Sequence, residues 1–471
     1  MRVTGERRKV AIIGGGVTGL TAAYYLQRSA QLNNLPVDVV LIESTLRLGG
    51  KIQTLRKEGF IVERGPESFV DYKNSVRELA KDLGIEQQMI PNNDGRTFVA
   101  VGSNLHPIPN LLMFGGLEVT SFITSGLFSL SGKLRAVGDL LLPKIKEDED
   151  EPIGDFFRRR FGKEVVENLV EPLLAGTFAG DIDHLSIKAM FPQFYQLEKQ
   201  HRSLILGLRK SGETLRNDHI ERYQTFHNGL ETLIESLSSQ LDASSILKGV
   251  KVESIDRLND GTVQIFSNNI APIKCDAVIM TTPFNIAKEV LDHSGLFDGL
   301  PKMQYATIAT VTLAFKQGES KKYKDAMNFF VSRNSDFAIT TCTWCNHKWN
   351  DVAPEGYDLL RVYIGRVGDE AIVELSDSDI EKTVLKDLEK AIGLEEAPLF
   401  TVVSRWKESM PQYTVGHDKR MEEMKQYLYA EFPNVKLVGS SYEGISVPDC
   451  VLQGKNVALD LLKEMFELQN A

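Results

Sequence analysis

One segment near the start limits this chain to very few folds. Residues 9 to 13, KVAII, form a short β-branched run, and GGGVTG comes directly after it. LTAAYYLQRSA then repeats its apolar positions with helical spacing, and a second apolar run, VDVVLIE, ends at Glu43. Strand, tight turn, helix and strand make a βαβ unit, and its turn carries Gly14, Gly16 and Gly19 as G-x-G-x-x-G. The first glycine permits the turn, the second lets backbone approach a pyrophosphate, and the third lets helix and strand close on each other. The amides at the helix start then face the phosphates. Glu43 stands where a carboxylate accepts hydrogen bonds from a ribose diol and repels a 2′-phosphate, so a dinucleotide other than NADP is expected.

The segment just past Glu43 favours FAD over NAD. Arg47, Gly49, Gly50 and Lys51 form R-x-G-G-K, a glycine-lined loop with cations able to meet the pyrophosphate from the other side. Near the far end, Gly439 to Val447 supply another glycine loop ahead of a helix. Its amides are expected to face the isoalloxazine or its diphosphate and to favour the reduced, anionic ring, with an ordinary capping turn as the bland alternative.

At 471 residues the chain is long enough for two or three cores sharing one flavin-sized cleft. The expected class is α/β plus α+β, with a discontinuous Rossmann-like FAD-binding domain at 1–72, 226–300 and 430–471. Helical periodicity assigns 73–225 to a helical domain lining a substrate cavity, and strand-like runs assign 301–429 to a mixed-sheet substrate-binding domain that includes a helix at 377 to 392. Lys plus Arg number 54 against 64 Asp plus Glu, a net charge of −10 that disfavours nucleic acid as a partner. The four cysteines are too few and scattered for a disulfide framework, and no secretion signal is visible, so a cytoplasmic location is expected. Residues 111 to 130 approach the length of a bilayer span, but Glu118 and interspersed Gly, Ser and Thr weaken that reading. An apolar lip in peripheral membrane contact and a buried cavity wall stand beside it, the wall being the expected one.

Several residues that invite chemistry have plainer readings. Arg158 to Arg160 read as a solvated cationic helix edge, and the acidic run at 146 to 152 as a solvated loop. Cys342, Cys345 and His347 imitate half a metal site but have no second ligand pair with suitable spacing, so no metal is expected. His184 and His417 each lack a carboxylate orienter visible in sequence and read as structural.

The blocks GGGVTGL, LIESTLRLGGK, ERGPESF, NLVEPLLAGTFAGD, VIMTTP, SRWKESMPQYTVGH and VGSSYEGISVPDC together resemble the protoporphyrinogen and coproporphyrinogen oxidases of the flavin amine oxidase superfamily, over nearly the whole chain. ERGPESF, EPLLAGTFAGD and PQYTVGH point more narrowly to the soluble bacterial porphyrinogen oxidases. The resemblance implies a p-hydroxybenzoate-hydroxylase-like FAD fold. It also implies oxygen-dependent oxidation of coproporphyrinogen III to coproporphyrin III for haem synthesis, six electrons leaving in three flavin cycles with hydrogen peroxide formed. Protoporphyrinogen IX, or an amine or carotenoid substrate, are the alternatives, and transient contact with the next haem-pathway enzyme is a further expectation.

Residue by residue, the resemblance places Gly14, Gly15, Gly16, Val17, Thr18, Gly19, Glu43, Ser44, Gly50, Lys51, Gly65, Pro66, Glu67, Ser68, Val252, Trp406, Ile445, Ser446 and Val447 around FAD; Arg47, Gly49 and Gly439 join them from the loop readings above. Lys73, with Arg64 and Lys51 as weaker candidates, is expected to meet substrate propionates, and Gly176, Thr177 and Phe178 to line the macrocycle. No acid-base dyad is needed, because the flavin performs the hard step and no residue is assigned as catalytic.

Overall fold

The computed structural model describes residues 7–109, 119–143, 149–215, 223–292, 297, 299–317 and 323–466. β1 (Arg8–Ile13), α1 (Val17–Leu32) and β2 (Val37–Glu43) form the βαβ unit, with β1 and β2 parallel. Three strands from distant parts of the chain complete an all-parallel five-stranded sheet in the order Val435–Leu437, Ala277–Met280, β1, β2, Ile246–Lys248. A parallel sheet is covered on both faces, which is why its strands read as unbroken apolar runs. Successive residues of β1 divide between two cores: Val10 and Ile12 pack with α1 and the closing helix Val447–Phe466, Ala11 and Ile13 with Val252, Phe284 and Met424. α1 and the closing helix meet backbone to backbone, since a Cβ on Gly454 would sit 2.5 Å from the Thr18 carbonyl oxygen.

The segment 226–300, assigned from sequence to the FAD-binding domain, also carries strands that lie outside this sheet. Val252–Arg257, Val263–Ser267 and Ile273–Cys275 form a separate antiparallel three-stranded sheet, and only the short Ile246–Lys248 segment before them joins β2.

A seven-stranded mixed sheet runs in the order Phe400–Pro411, Tyr305–Lys316, Tyr357–Ile364, Ile339–Trp344, Ala326–Val331, Arg96–Val101, Asn104–Pro107. Helix Asp377–Ile392 covers one face, at the bounds its periodicity predicts. The last two strands come from the stretch read as helical. RTFVAV is β-branched and aromatic, and the two-residue loop Gly102-Ser103, with φ +63° at Gly102, turns it into an edge hairpin. Against the opposite face lie helix Ile153–Phe161, a π-helical turn Val166–Val170 that continues into Glu171–Phe178, and helix Pro192–Gln200. Val99 and Phe330 of the sheet enter the core of this helical layer.

Folding overturns two of the surface readings. A helix rotates about 100° per residue, so the Phe156, Phe157, Phe161 stripe carries Arg160 inward while its neighbours stay at the rim. Arg160 is fully buried against Glu198 and Asp139, themselves fully buried, and is no part of a solvated edge. The acidic run ends in anchors: Asp150 accepts from Ser186 Oγ (2.7 Å) and Gly416 N–H (2.8 Å), and Glu151 pairs with Arg159. Residues 144–148 lie outside the described residues, as do 111–118 of the apolar stretch. The described part of that stretch holds a short helix, Val119–Thr124, and the start of a second, Leu130–Val137, capped by Ser129; Phe122, Leu127 and Phe128 are buried, while Ile123 and Leu130 are exposed. Among the described residues no helix is long and apolar enough to cross a membrane.

Candidate functional site: four converging loops

The G-x-G-x-x-G turn has a different steric reason for each glycine. Gly14 adopts φ +109°, and a Cβ there would lie 2.5 Å from Thr281 Oγ1. A Cβ on Gly19 would lie 1.9 Å from the Gly14 carbonyl oxygen, whereas one on Gly16 would meet nothing within 4 Å. The outer glycines therefore close the turn and the middle one opens it to a ligand at the start of α1, where Val17 and Thr18 begin the helix. Glu43 belongs to the same turn: its Oε2 accepts from Gly15 N–H (2.7 Å), and its Oε1 accepts from Thr45 N–H (2.8 Å) and Ser44 Oγ (3.2 Å). Val252 arrives close by, because Val250 N–H donates to the Glu43 carbonyl oxygen (3.0 Å).

The second loop, Arg47 to Lys51, docks edge-on to the first. Gly49 N–H donates to the Gly15 carbonyl oxygen (2.8 Å), and a Cβ on Gly50 would lie 3.2 Å from Gly16 Cα. Its two cations differ in what they do. Arg47 turns inward, donating to the carbonyls of Leu48, Gly50 and Ile52 and to Glu231, so its guanidinium shapes the loop. Lys51 makes no ion pair among the described residues; its Nζ reaches only Ser440 Oγ, at 3.3 Å, and burial pushes its pKa below the ordinary lysine value. A partly buried cation without a carboxylate is a site for an anion.

The third loop, Gly65 to Ser68, lies against the second so closely that a Cβ on Gly65 would fall 1.7 Å from the Lys51 carbonyl oxygen. Glu67 was expected at the cofactor, but its side chain turns into the protein, paired with Lys348 and with Arg361 at 3.4 Å. Burial raises its pKa, yet the two cations outweigh burial and hold the carboxyl below its usual range. Arg361 also donates to the Gly65 carbonyl, so the segment between Glu63 and Ser68 is held from beneath. Trp406 holds its edge: the indole N–H donates to the Arg64 carbonyl oxygen (2.6 Å), while Arg64 Nε donates to Ser404 Oγ (2.8 Å).

The fourth loop, Gly439 to Val447, approaches α1 near Thr18 and ends in a reciprocal cap. Ser446 Oγ accepts from Asp449 N–H (3.2 Å), and Asp449 Oδ2 accepts from Ser446 N–H (3.3 Å) and Oγ (2.7 Å). The other oxygen of Asp449 takes Lys73 Nζ and the Tyr72 hydroxyl, each at 2.7 Å. Burial alone would raise this carboxyl, but the bonds from Lys73, Ser446 and Tyr72 lower its pKa. The sequence reading missed Asp449, though S-x-x-D before a helix spells a capping box.

The residues expected at the macrocycle sit on Glu171–Phe178. Gly176 allows that helix to lie on the sheet, a Cβ there meeting Phe330 and Thr341 at 2.4 Å; Thr177 Oγ1 donates back to the Leu173 carbonyl (2.7 Å), and Phe178 packs edge-on against Phe191. Ala179, just beyond, joins Ile308, Trp406 and Met410, so the end of this helix shares one apolar cluster with the tryptophan that braces the third loop. Three other groups take modest roles. His184 pairs with Asp181 at 3.0 Å, a carboxylate one turn away that the sequence reading overlooked. Cys342 and Cys345 are buried free thiols, and no group of metal-ligand residues forms among the described residues.

Residues 17–462 match the family model described as flavin containing amine oxidoreductase. The chain is 45% identical over 466 residues to coproporphyrinogen III oxidase of Bacillus subtilis (strain 168), covering 98% of this chain and 99% of that one. It is 35% identical to the Staphylococcus aureus (strain NCTC 8325 / PS 47) protein of the same name, over 97% and 100% of the two chains, and 29% identical to human protoporphyrinogen oxidase, over 97% and 98%. Among solved structures, a putative protoporphyrinogen oxidase from Exiguobacterium sp. 255-15 superimposes with a TM-score of 0.87 at 33% identity, covering 98% and 99%. Reduced UDP-galactopyranose mutase shares the fold alone, with a TM-score of 0.72 at 16% identity over 98% and 95%.

Proposed function

The chain belongs to the flavin-containing amine oxidoreductase family and is an FAD-dependent oxidoreductase, and we propose that it oxidises coproporphyrinogen III to coproporphyrin III. The observation that carries the substrate is the 45% identity, over essentially both full lengths, to the Bacillus subtilis coproporphyrinogen III oxidase. The four loops fit the cofactor on their own terms: a turn opened at Gly16, a carboxylate at Glu43 and a cation at Lys51 that lacks an anion among the described residues.

In this reading, the amides at the start of α1 and Lys51 hold the pyrophosphate, Glu43 accepts from the ribose hydroxyls, and the backbone of Val252 meets the adenine. The backbones of Gly65 to Ser68 and of Gly439 to Val447 meet the ring system, with Trp406 bracing the former. Bound FAD supplies hydride acceptance from the substrate and passage of the electrons to dioxygen, which leaves as hydrogen peroxide. The chain's own work is orientation: Gly176, Thr177 and Phe178 face the macrocycle, and Lys73 and Arg64 meet its propionates. A lysine has three donors, so Lys73 keeps two for a propionate while bonded to Asp449. The cytoplasm and a passing contact with the enzyme that next uses the porphyrin complete the proposal.

The test is anaerobic reduction of the bound flavin by coproporphyrinogen III, protoporphyrinogen IX and a simple amine, followed by admission of oxygen. Rapid bleaching by coproporphyrinogen III, with fluorescent porphyrin and peroxide on reoxidation, is expected. Bleaching by protoporphyrinogen IX alone, or by the amine alone, would overturn the substrate and leave the flavin assignment standing.

A further inference from the structure

The fourth loop is gripped from one short segment of chain. The Tyr413 hydroxyl donates to the Ser440 carbonyl oxygen (2.8 Å) and accepts from Gly444 N–H (3.1 Å), bridging the two limbs of the loop. His417 stacks on the Tyr413 ring, with centroids 3.8 Å apart and planes 12° from parallel, and its Nε2 lies 3.0 Å from the Tyr442 carbonyl oxygen between those limbs. A carbonyl only accepts, so the ring carries its proton on Nε2. Burial lowers the pKa of His417 and keeps the ring neutral. Both side chains are buried, at 2% and 1% exposure, so solvent competes little for their three bonds.

The same segment faces the helical layer on its other side. Gln412 Nε2 donates to the carbonyl oxygen of Phe178 (3.2 Å), the last residue of Glu171–Phe178. Ser186 N–H donates to the Tyr413 carbonyl oxygen (2.8 Å), and Val415 N–H to that of His184 (3.0 Å). Residues 412–417 thus touch three backbone points of the loop that meets the flavin and the end of the helix that meets the macrocycle.

We infer that Tyr413 and His417 are positioning residues for the flavin, fixing the Gly439–Val447 loop against the ring and, through Gln412, in register with the substrate-lining helix. The inference rests on the FAD reading of that loop. Neither residue touches the reacting atoms; each acts through backbone amides whose aim sets how well the reduced, anionic ring is stabilised relative to the oxidised one.

The experiment compares the wild-type holoenzyme with Tyr413→Phe, which keeps the stacked ring and loses the hydroxyl, and His417→Phe, which keeps the stack and loses the Nε2 donor. For each, far-UV circular dichroism, FAD dissociation constant, visible flavin spectrum and two-electron midpoint potential are measured. Wild-type circular dichroism is expected, with roughly tenfold weaker FAD binding and a shifted visible band. The reduced-to-oxidised preference falls by about tenfold, which is about 30 mV toward negative potential. The two changes are expected to be less than additive in the double variant, because both act on one loop. Folded variants that keep the wild-type spectrum, dissociation constant and potential would overturn the inference. A wild-type protein that binds no flavin would instead overturn the FAD reading on which it stands.

Discussion

The two glycine loops that bracket the site reach similar ends by opposite physics. The turn at Gly14 to Gly19 is set first by steric closure, Gly19 closing on the Gly14 carbonyl and Gly14 on the Thr281 hydroxyl, with the Glu43 carboxylate on Gly15 N–H beside it. The loop at Gly439 to Val447 is set by side chains from elsewhere: Tyr413 and His417, Tyr305 through Ser441 (2.9 Å), Gln453 on Gly439 N–H (2.8 Å) and Asp449 at the cap. A steric turn is rigid wherever it occurs, whereas a loop held by hydrogen bonds is as firm as its partners and responds to their charge.

The largest effect should come from the steric side. Gly19→Ala places a methyl 1.9 Å from a carbonyl oxygen that cannot yield without moving β1 or α1. It is expected to destabilise the protein by at least about 3 kcal/mol and to abolish FAD retention, read from urea midpoints and the absorbance of the purified protein. Retention of FAD by a stable Gly19→Ala protein would erase the distinction between the loops.

Asp449→Asn probes the other loop and should cost about 2 kcal/mol at pH 7. The folded carboxyl has a lowered pKa, so its stabilisation is fully present above the unfolded-state value. It is lost as pH falls through the folded one. The gap between wild type and variant should therefore narrow progressively below about pH 4 in urea melts across pH 7, 5 and 3. A gap that does not change with pH would mean that packing, and not charge, holds the cap.

Gly16→Ala should be the smallest change in stability, within about 0.5 kcal/mol and even slightly favourable, because φ is −74° and the methyl meets nothing within 4 Å. FAD affinity should nevertheless fall sharply, measured by equilibrium dialysis. Unchanged affinity would place the pyrophosphate elsewhere and make this turn merely structural.

The same contrast explains what could be read in advance. The βαβ unit, its glycines, the Glu43 carboxylate and helix Asp377–Ile392 were legible because each is a local pattern of period, turn chemistry or steric need. The hairpin at 96–107 was legible in principle, through Gly102 and the β-branched run, but was overlooked among helical neighbours. Arg160 was misread, and the direction of the Glu67 side chain could not be read, for a different reason. Whether a charged side chain faces solvent, a cofactor or a buried partner depends on Lys348, Arg361, Glu198 and Asp139, which reach them from remote stretches of chain.

Local sequence was enough to dictate the βαβ unit with its dinucleotide turn, because those features arise from residues within neighbouring strands, one turn and one helix, whereas the other three strands of the sheet come from remote stretches. Tertiary packing was needed to make Lys51 the cation without a carboxylate among the described residues while Arg47 is spent on its own loop. Packing also chose that Lys73 shares Asp449 with the closing helix, and that residues 412–417 grip the last glycine loop. These are pairings across long stretches of chain, and an ion or hydrogen bond is selected by the distance that folding creates, which no local pattern encodes.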